Sequence, residues 1–455
     1  MRRRDFIKLT AAAGLTAVSS WGYAAECPEP MMGVETPLWI TINLRGGWDT
    51  TWFCDPRTRD IIFEDERGSR GPINRGYNEV RTLGDLRYAP GDHYGPPGTL
   101  ESLAERGFTI INGVDAGLTS HSQGERLAMT GTLKKAAPTL AALIAAKTVN
   151  GGVARAMPYL TFGGYDLTGN LVAPTRLSKM DLLGKVTRPN LSVPGDEDDL
   201  RFHDEGTASA IAAAVRSRAT RLREADRLPG RRRALSHLHL ARCNQADVSR
   251  FATAFNESDF AALGKFKRQI YTTLVAFQQD IAVTSGLVIN GWDSHVGNDS
   301  SQHTKYRELF AGLNYLVTTA AELGIIHRLN VVVSSEFSRS PYYNDDDGKD
   351  HHPVSSWMTM LWGLGREDGV RVVGGTDNRM LAQPMSVGPL GADGRGQANQ
   401  PCGAGQDPCG LFQDPEGTKL SPMIIHNELR HLAGLDGTSL VEVVDHEAKR
   451  WPIWG

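Results

Sequence analysis

Five short apolar runs limit most strongly what this chain can fold into. They are PLWITINL at 37–44, FTIINGV at 108–114, PYLTFGG at 158–164, SGLVING at 285–291 and LNVVVSSEF at 329–337. Each is apolar or β-branched almost throughout, without the polar alternation of a strand that has one wet face. Such runs suit strands covered on both sides, as in a parallel sheet. Between them lie stretches of helical periodicity. APTLAALIAAKTV and TKYRELFAGLNYLVTTAAEL carry apolar residues at three- and four-residue spacing. Strands alternating with helices predict an α/β fold with a mostly parallel sheet.

Two regions break the alternation. From about 200 to 280, TASAIAAAVRSRATRLREADRL and RRRALSHLHLARC are rich in Ala and Arg and contain no strand pattern. They read as a helical insertion on the main domain. Their arginines are interleaved with Asp and Glu, which marks a solvated helical face and not a nucleic-acid surface. His237 and His239 are two apart, so on a helix they point in different directions and do not share a metal. Residues 386–410 form a Gly-rich loop, and SPMIIHNELRHLAGLDG then reads as a capped helix closed by glycine. His426 and His431 in that helix are five apart and read as structural.

The first 25 residues stand apart from the fold. A basic start is followed by a short apolar run and small residues, the pattern of a signal peptide cut near Ala24 or Ala25. The arginines before Asp5-Phe6-Ile7 resemble a twin-arginine (Tat) export signal, which predicts a periplasmic or secreted protein and the Tat translocase as a partner during export. Glu26 before Cys27 leaves no lipobox, so no stable membrane anchor is expected. Residues 26–455 then form the mature domain. The full chain has a net charge of -3, and residues 1–25 hold a surplus of three positive charges, so the mature chain is near -6. That excess of negative charge argues against polyanionic partners.

The five cysteines contain no CxxC, which argues against a thiolate zinc or iron–sulfur site. Cys402 and Cys409 flank CGAGQDPC and are the expected disulfide in an oxidising compartment. An exported redox protein is disfavoured, because a CxxCH haem motif, iron–sulfur cysteines and a GxGxxG after a strand are all missing.

The chemistry lies just past the apolar runs. Asp49 follows the first, and Ser120, His121 and Ser122 follow the second. Asp293 and His295 follow SGLVING. Glu336 and Arg339 follow NVVVSS, and Asp350, His351 and His352 come shortly after. In a parallel α/β sheet the strand C-terminal ends share one edge, and ligands bind in the crevice there. Carboxylates and imidazoles gathered at that edge are the ligand types for one or two divalent ions. Zinc, manganese, magnesium and calcium all stay open.

The same stretches carry a family resemblance. LRGGWD, TSHSQGERLAMTG, GWDSH, SEFSRS, KDHHP and GGTD, in this order along nearly all of the mature chain, are similar to the motifs of the DUF1501 family. The departures are SEFSRS for SEFGRT, His352 for the usual Trp of DHWP, HSQG without the Phe of SHF, and a longer Gly-rich loop. The resemblance implies the alkaline phosphatase and sulfatase superfamily, with a three-layer α/β/α fold and metal-dependent hydrolysis of phosphate or sulfate esters. It implies metal ligation by Asp49, Asp293, His295, Glu336, Asp350 and His351. It implies catalytic roles for Ser120 as nucleophile, for His121 beside it, and for Arg339 as a countercharge to the transition state. Ser122, Thr119 and a metal-bound water remain alternative nucleophiles. The substrate expected is a small-molecule or envelope ester. A non-catalytic envelope binding protein that keeps a structural metal is the competing expectation.

Overall fold

The computed structural model describes residues 35–455 except 65–69, 152–154, 177–189, 191, 193–199, 233–234, 236–244, 256, 367–368, 390–395, 397–408, 437–450 and 455. The signal segment, His237, His239 and Cys402 lie outside the described residues. Eight strands form the central sheet: β1 (Leu38–Arg45), β2 (Phe108–Asp115), β3 (Tyr159–Thr161), β4 (Pro174–Arg176), β5 (Thr284–Asn290), β6 (Leu329–Ser335), β7 (Val354–Met360) and β8 (Val370–Gly374). Their order is β8-β2-β7-β6-β1-β5-β3-β4. β7 runs antiparallel to both of its neighbours, and the other pairings are parallel. All five runs read as strands from the sequence lie in this sheet.

Alternation along β1 builds the layers. Leu38, Ile40, Ile42 and Leu44 face one side, and Trp39 faces the other. β6 repeats the pattern with Leu329, Val331 and Val333 against Val332. The first side is covered by α1 (Thr99–Arg106), α7 (Lys265–Gln278) and α8 (Asn298–Glu322). The second is covered by α2 (His121–Thr130), α3 (Leu140–Asn150) and α9 (Pro422–Leu432). The result is a three-layer α/β/α sandwich. With apolar faces on both sides, the strands show no wet–dry alternation, as their sequences require.

Between 200 and 280 the described elements are helical: α4 (Glu205–Ala225), α5 (Gln245–Ala254), α6 (Glu257–Ala262) and α7. α4 is largely exposed, with only Ala219 and Arg223 buried. α7 differs, since Phe266, Ile270 and Leu274 sit in the core against the sheet.

A short return of the chain organises one edge. After β6 the chain makes a two-residue strand, Ser338–Arg339, loops out, and comes back as His351–His352 in antiparallel register, with Arg339 opposite His351. It then enters β7. This return brings residues 336–339 beside residues 350–352, at the end where β1, β2 and β5 also finish.

Candidate metal centre

Each functional side chain sits on a short segment just beyond a strand. His121 is the first residue of α2, after the N-cap Ser120. Asp293 and His295 lie beyond β5, Glu336 directly beyond β6, and Asp350 and His351 on the return to β7. Two glycines allow the segments to close up. A Cβ on Gly46 would fall 2.2 Å from the Asp293 amide nitrogen, and its φ is +124°. A Cβ on Gly348 would fall 1.8 Å from the His295 carbonyl oxygen. Any side chain at either position would push Asp293 or His295 out of place.

Three imidazoles surround Asp293, and each is held by its Nδ1. His121 Nδ1 is 2.6 Å from Glu336 Oε1, His295 Nδ1 is 3.0 Å from Asp350 Oδ1, and His351 Nδ1 is 2.9 Å from the Thr119 carbonyl. Ionised carboxylates and carbonyls only accept, so all three Nδ1 atoms carry the proton. In the neutral rings the Nε2 lone pairs therefore point away from these anchors, toward Asp293. His121 Nε2 is 3.4 Å from Asp293 Oδ2, and His295 Nε2 and His351 Nε2 are 3.2 and 3.3 Å from Oδ1. The Nε2 atoms of His295 and His351 are only 3.0 Å apart. Two lone pairs facing each other beside a carboxylate repel unless a proton or a metal ion lies between them.

This donor set fits a divalent metal. Ligand atoms of His121, Asp293 and His351 all lie within 4.8 Å of one another. Two atoms bound at roughly 2.0–2.1 Å to one tetrahedral zinc stand about 3.3 Å apart, close to the spacings seen here. An imidazole anchored through its other nitrogen to a carboxylate or carbonyl is the arrangement that fixes a ligand's tautomer and aim.

The electrostatics agree. Burial opposes ionisation of Asp293, but the Arg339 guanidinium holds its carboxyl below the ordinary range. Burial holds His351 below the usual imidazole range, which keeps it neutral. His121 is shifted upward, chiefly by its bond to Glu336, so protons compete with a metal there. Asp293, Glu336 and Asp350 supply three negative charges against the Arg339 cation. Without a cation, the site repels anions.

The structure reassigns several residues from their expected roles. Asp49 is not brought to the cluster. It is fully buried, and its carboxylate is taken by Thr51 N and Oγ1 at 3.1 and 2.6 Å, by Asn298 Nδ2 at 2.9 Å, and by an ion pair with Lys349 Nζ at 2.8 Å. Glu336 and Asp350 sit behind imidazoles and set their orientation. Glu336 Oε1 also accepts from Gly46 N at 2.9 Å, while its Oε2 is enclosed without a partner. His121 belongs with the ligand atoms. Arg339 is buried under the site, 2.9 Å from Asp293 Oδ1, with Nε donating to the Gly47 carbonyl and Nη1 to that of Lys349. It steadies Asp293 and has no open face toward a substrate. Ser120 is exposed, and its hydroxyl makes no cap bond to α2. His352 turns away to the Met380 carbonyl, and His426 to that of Ala128. The sequence reading missed Lys349 and the Thr119 carbonyl, which no side-chain pattern reveals.

The family profile described as "Protein of unknown function (DUF1501)" matches residues 203–390. The matched span includes Asp293, His295, Glu336, Arg339, Asp350 and His351, but not Ser120 or His121. No curated protein matches the chain. Among solved structures, the alkaline phosphatase from the Antarctic bacterium TAB5 shares 9% identity, with 76% of this chain and 96% of that chain covered and a TM-score of 0.30. A histidine-to-aspartate mutant of that enzyme with Mg bound in its M3 site gives 9% identity, 76% and 95% coverage and the same TM-score.

Proposed function

Starting from a chain whose residues 203–390 belong to the DUF1501 family, we propose an exported, metal-dependent hydrolase of phosphate or sulfate esters. The observation that carries this reading is the convergence of three Nδ1-anchored imidazoles on Asp293 at the open edge of the sheet. His121, His351 and Asp293, with His295 beside them, would hold the ion. When bound, a divalent metal supplies a Lewis acid for the ester oxygen and cancels negative charge that would otherwise repel an anionic substrate.

The chain's own residues supply the rest. Ser120 presents an unbonded hydroxyl next to His121, at the N-terminus of α2, where unpaired amide groups favour a phosphate or sulfate. Its oxygen attacks phosphorus or sulfur and gives up its proton to solvent, the bond to the leaving oxygen breaks and that oxygen takes a proton to leave as the alcohol, and water hydrolyses the resulting serine ester, returning the proton to Ser120. Glu336, Asp350 and the Thr119 carbonyl keep the three imidazoles in one tautomer. Arg339 keeps Asp293 ionised. The twin-arginine segment supports export in the folded state, with the metal loaded before transit.

The test is turnover of aryl phosphate monoesters, diesters and aryl sulfates by purified protein loaded in turn with zinc, manganese, magnesium or calcium. Ser120→Ala keeps the metal and loses most turnover. Unchanged turnover in Ser120→Ala moves the chemistry to Ser122, Thr119 or water. Absence of turnover on every ester with every metal refutes the hydrolase and leaves an envelope binding protein.

A further inference from the structure

A second group of ligand atoms lies away from the first. Asp92 and His93 sit in the loop before α1, and His303 lies on the first turns of α8. One ligand atom from each stands within 4.8 Å of the other two. The group runs from surface to interior: Asp92 is exposed, His303 half-buried and His93 fully buried.

The buried end lacks partners. His93 Nε2 lies 2.8 Å from the Trp52 carbonyl, so Nε2 carries the proton and Nδ1 presents a lone pair. That Nδ1 is enclosed and has no hydrogen-bond partner, and neither has His303 Nε2. Leaving buried polar nitrogens unsatisfied costs free energy that a native core normally avoids. Gly91 leaves the Nδ1 edge open, since a Cβ there would fall 2.3 Å from it. The rings stack at 4.6 Å between centroids, and the Trp52 indole closes the far side edge-on to His303 at 4.2 Å. Burial, then the neighbouring His303, push His93 down to about 4, and burial lowers His303, so both rings are neutral near pH 7. Asp92 also pairs with Arg307 Nη2 at 2.7 and 2.8 Å. A carboxylate offers about four lone-pair sites, so one guanidinium nitrogen does not exhaust it.

We propose that Asp92, His93 and His303 bind a second divalent metal of the zinc type, in a structural site distinct from the Asp293 centre. Two neutral imidazoles and one carboxylate are borderline ligands suited to zinc, whereas calcium and magnesium favour all-oxygen shells. Such an ion would tie the 89–98 loop to α8. The first turns of α8 in turn hold the first centre's scaffold, through Asn298 on Asp49 and Gln302 Nε2 on the carbonyls of Gly47 and Trp292.

The test is a zinc titration of the full chain carrying His351→Ala, which takes one ligand from the first centre and so weakens it, and the loss of binding on an added substitution at the second group is the readout, which needs no turnover and does not depend on the hydrolase reading. This background is expected to bind zinc and to melt at a higher temperature when zinc is added. Adding Asp92→Asn or His303→Gln is expected to abolish both responses. Absence of zinc binding in the His351→Ala background overturns the proposal, as does unchanged binding after either added substitution. Asp92 is exposed, so Asp92→Asn decides the matter if His303→Gln fails to fold.

Discussion

Glu336→Gln separates an anchoring carboxylate from a ligating one. The side chain is almost completely enclosed, with 2% of it exposed, and its Oε1 meets His121 Nδ1 at 2.6 Å and Gly46 N at 2.9 Å. Glutamine keeps an oxygen for both donors, removes the charge and puts an amide NH2 where the enclosed Oε2 stood, so a melting curve beside the wild type accompanies the affinity measurement. Losing a partner that orients a ligating imidazole costs about 10–100-fold in metal affinity. That range is about 1.4–2.8 kcal/mol at 1.4 kcal/mol per tenfold. The enclosed contact places Glu336→Gln in the upper part of the range, because little water screens it. Asp350→Asn belongs at about tenfold or below, since 46% of that side chain is exposed and its contact to His295 is 3.0 Å. Competition against a chromophoric zinc chelator measures both variants beside His121→Ala. Unchanged affinity in Glu336→Gln refutes the anchoring role. A loss equal to that of His121→Ala would make Glu336 a ligand and refute the role given it here.

Lys349→Met breaks a fully buried ion pair, and removing one partner of such a pair costs about 3–5 kcal/mol. The lower end is expected because Asp49 keeps Thr51 and Asn298. Denaturant unfolding measures the loss, and a variant that loses metal affinity at full stability would return Asp49 to the metal site. The upward shift of His121 favours its protonated form, so metal affinity should weaken as pH falls through a value above the ordinary imidazole range, and Glu336→Gln should move that onset lower. In the metal-free protein the sign reverses: the His121–Glu336 contact stabilises most below the ordinary imidazole pKa and fades as pH rises through the shifted value. Melting curves across pH with chelator present check this against His121→Gln. Replacing Arg3 and Arg4, the pair directly before Asp5-Phe6-Ile7, by lysines is expected to strand folded protein in the cytoplasm, and normal export from cells lacking the Tat translocase would contradict the export reading.

The parallel strands were legible because burial on both faces leaves no polar alternation to confuse them. β7 was not, since VSSWMTM mixes Ser and Thr with large apolar residues and follows a charged loop directly. It is fully buried nonetheless, and its antiparallel direction comes from the 338–352 return, which no local propensity encodes. At the site, residue types and their shared edge could be read from position after each strand. Their roles could not, because a ligand and its anchor differ only in which atom faces which partner. His121 and Glu336 are one contact apart, and only the direction of Nδ1 tells them apart. Asp49 illustrates the same limit. Its motif and position match a ligand, but Lys349, brought close by the return after β6, claims its carboxylate.

Crystals of the zinc-loaded protein, with anomalous data collected at the zinc edge, test the central claim most directly. The account predicts an ion contacted by the Nε2 atoms of His121 and His351 and by Asp293, at roughly 2.0–2.2 Å. Zinc bound instead through Asp49, or through the Glu336 and Asp350 oxygens with the imidazoles turned away, would contradict it.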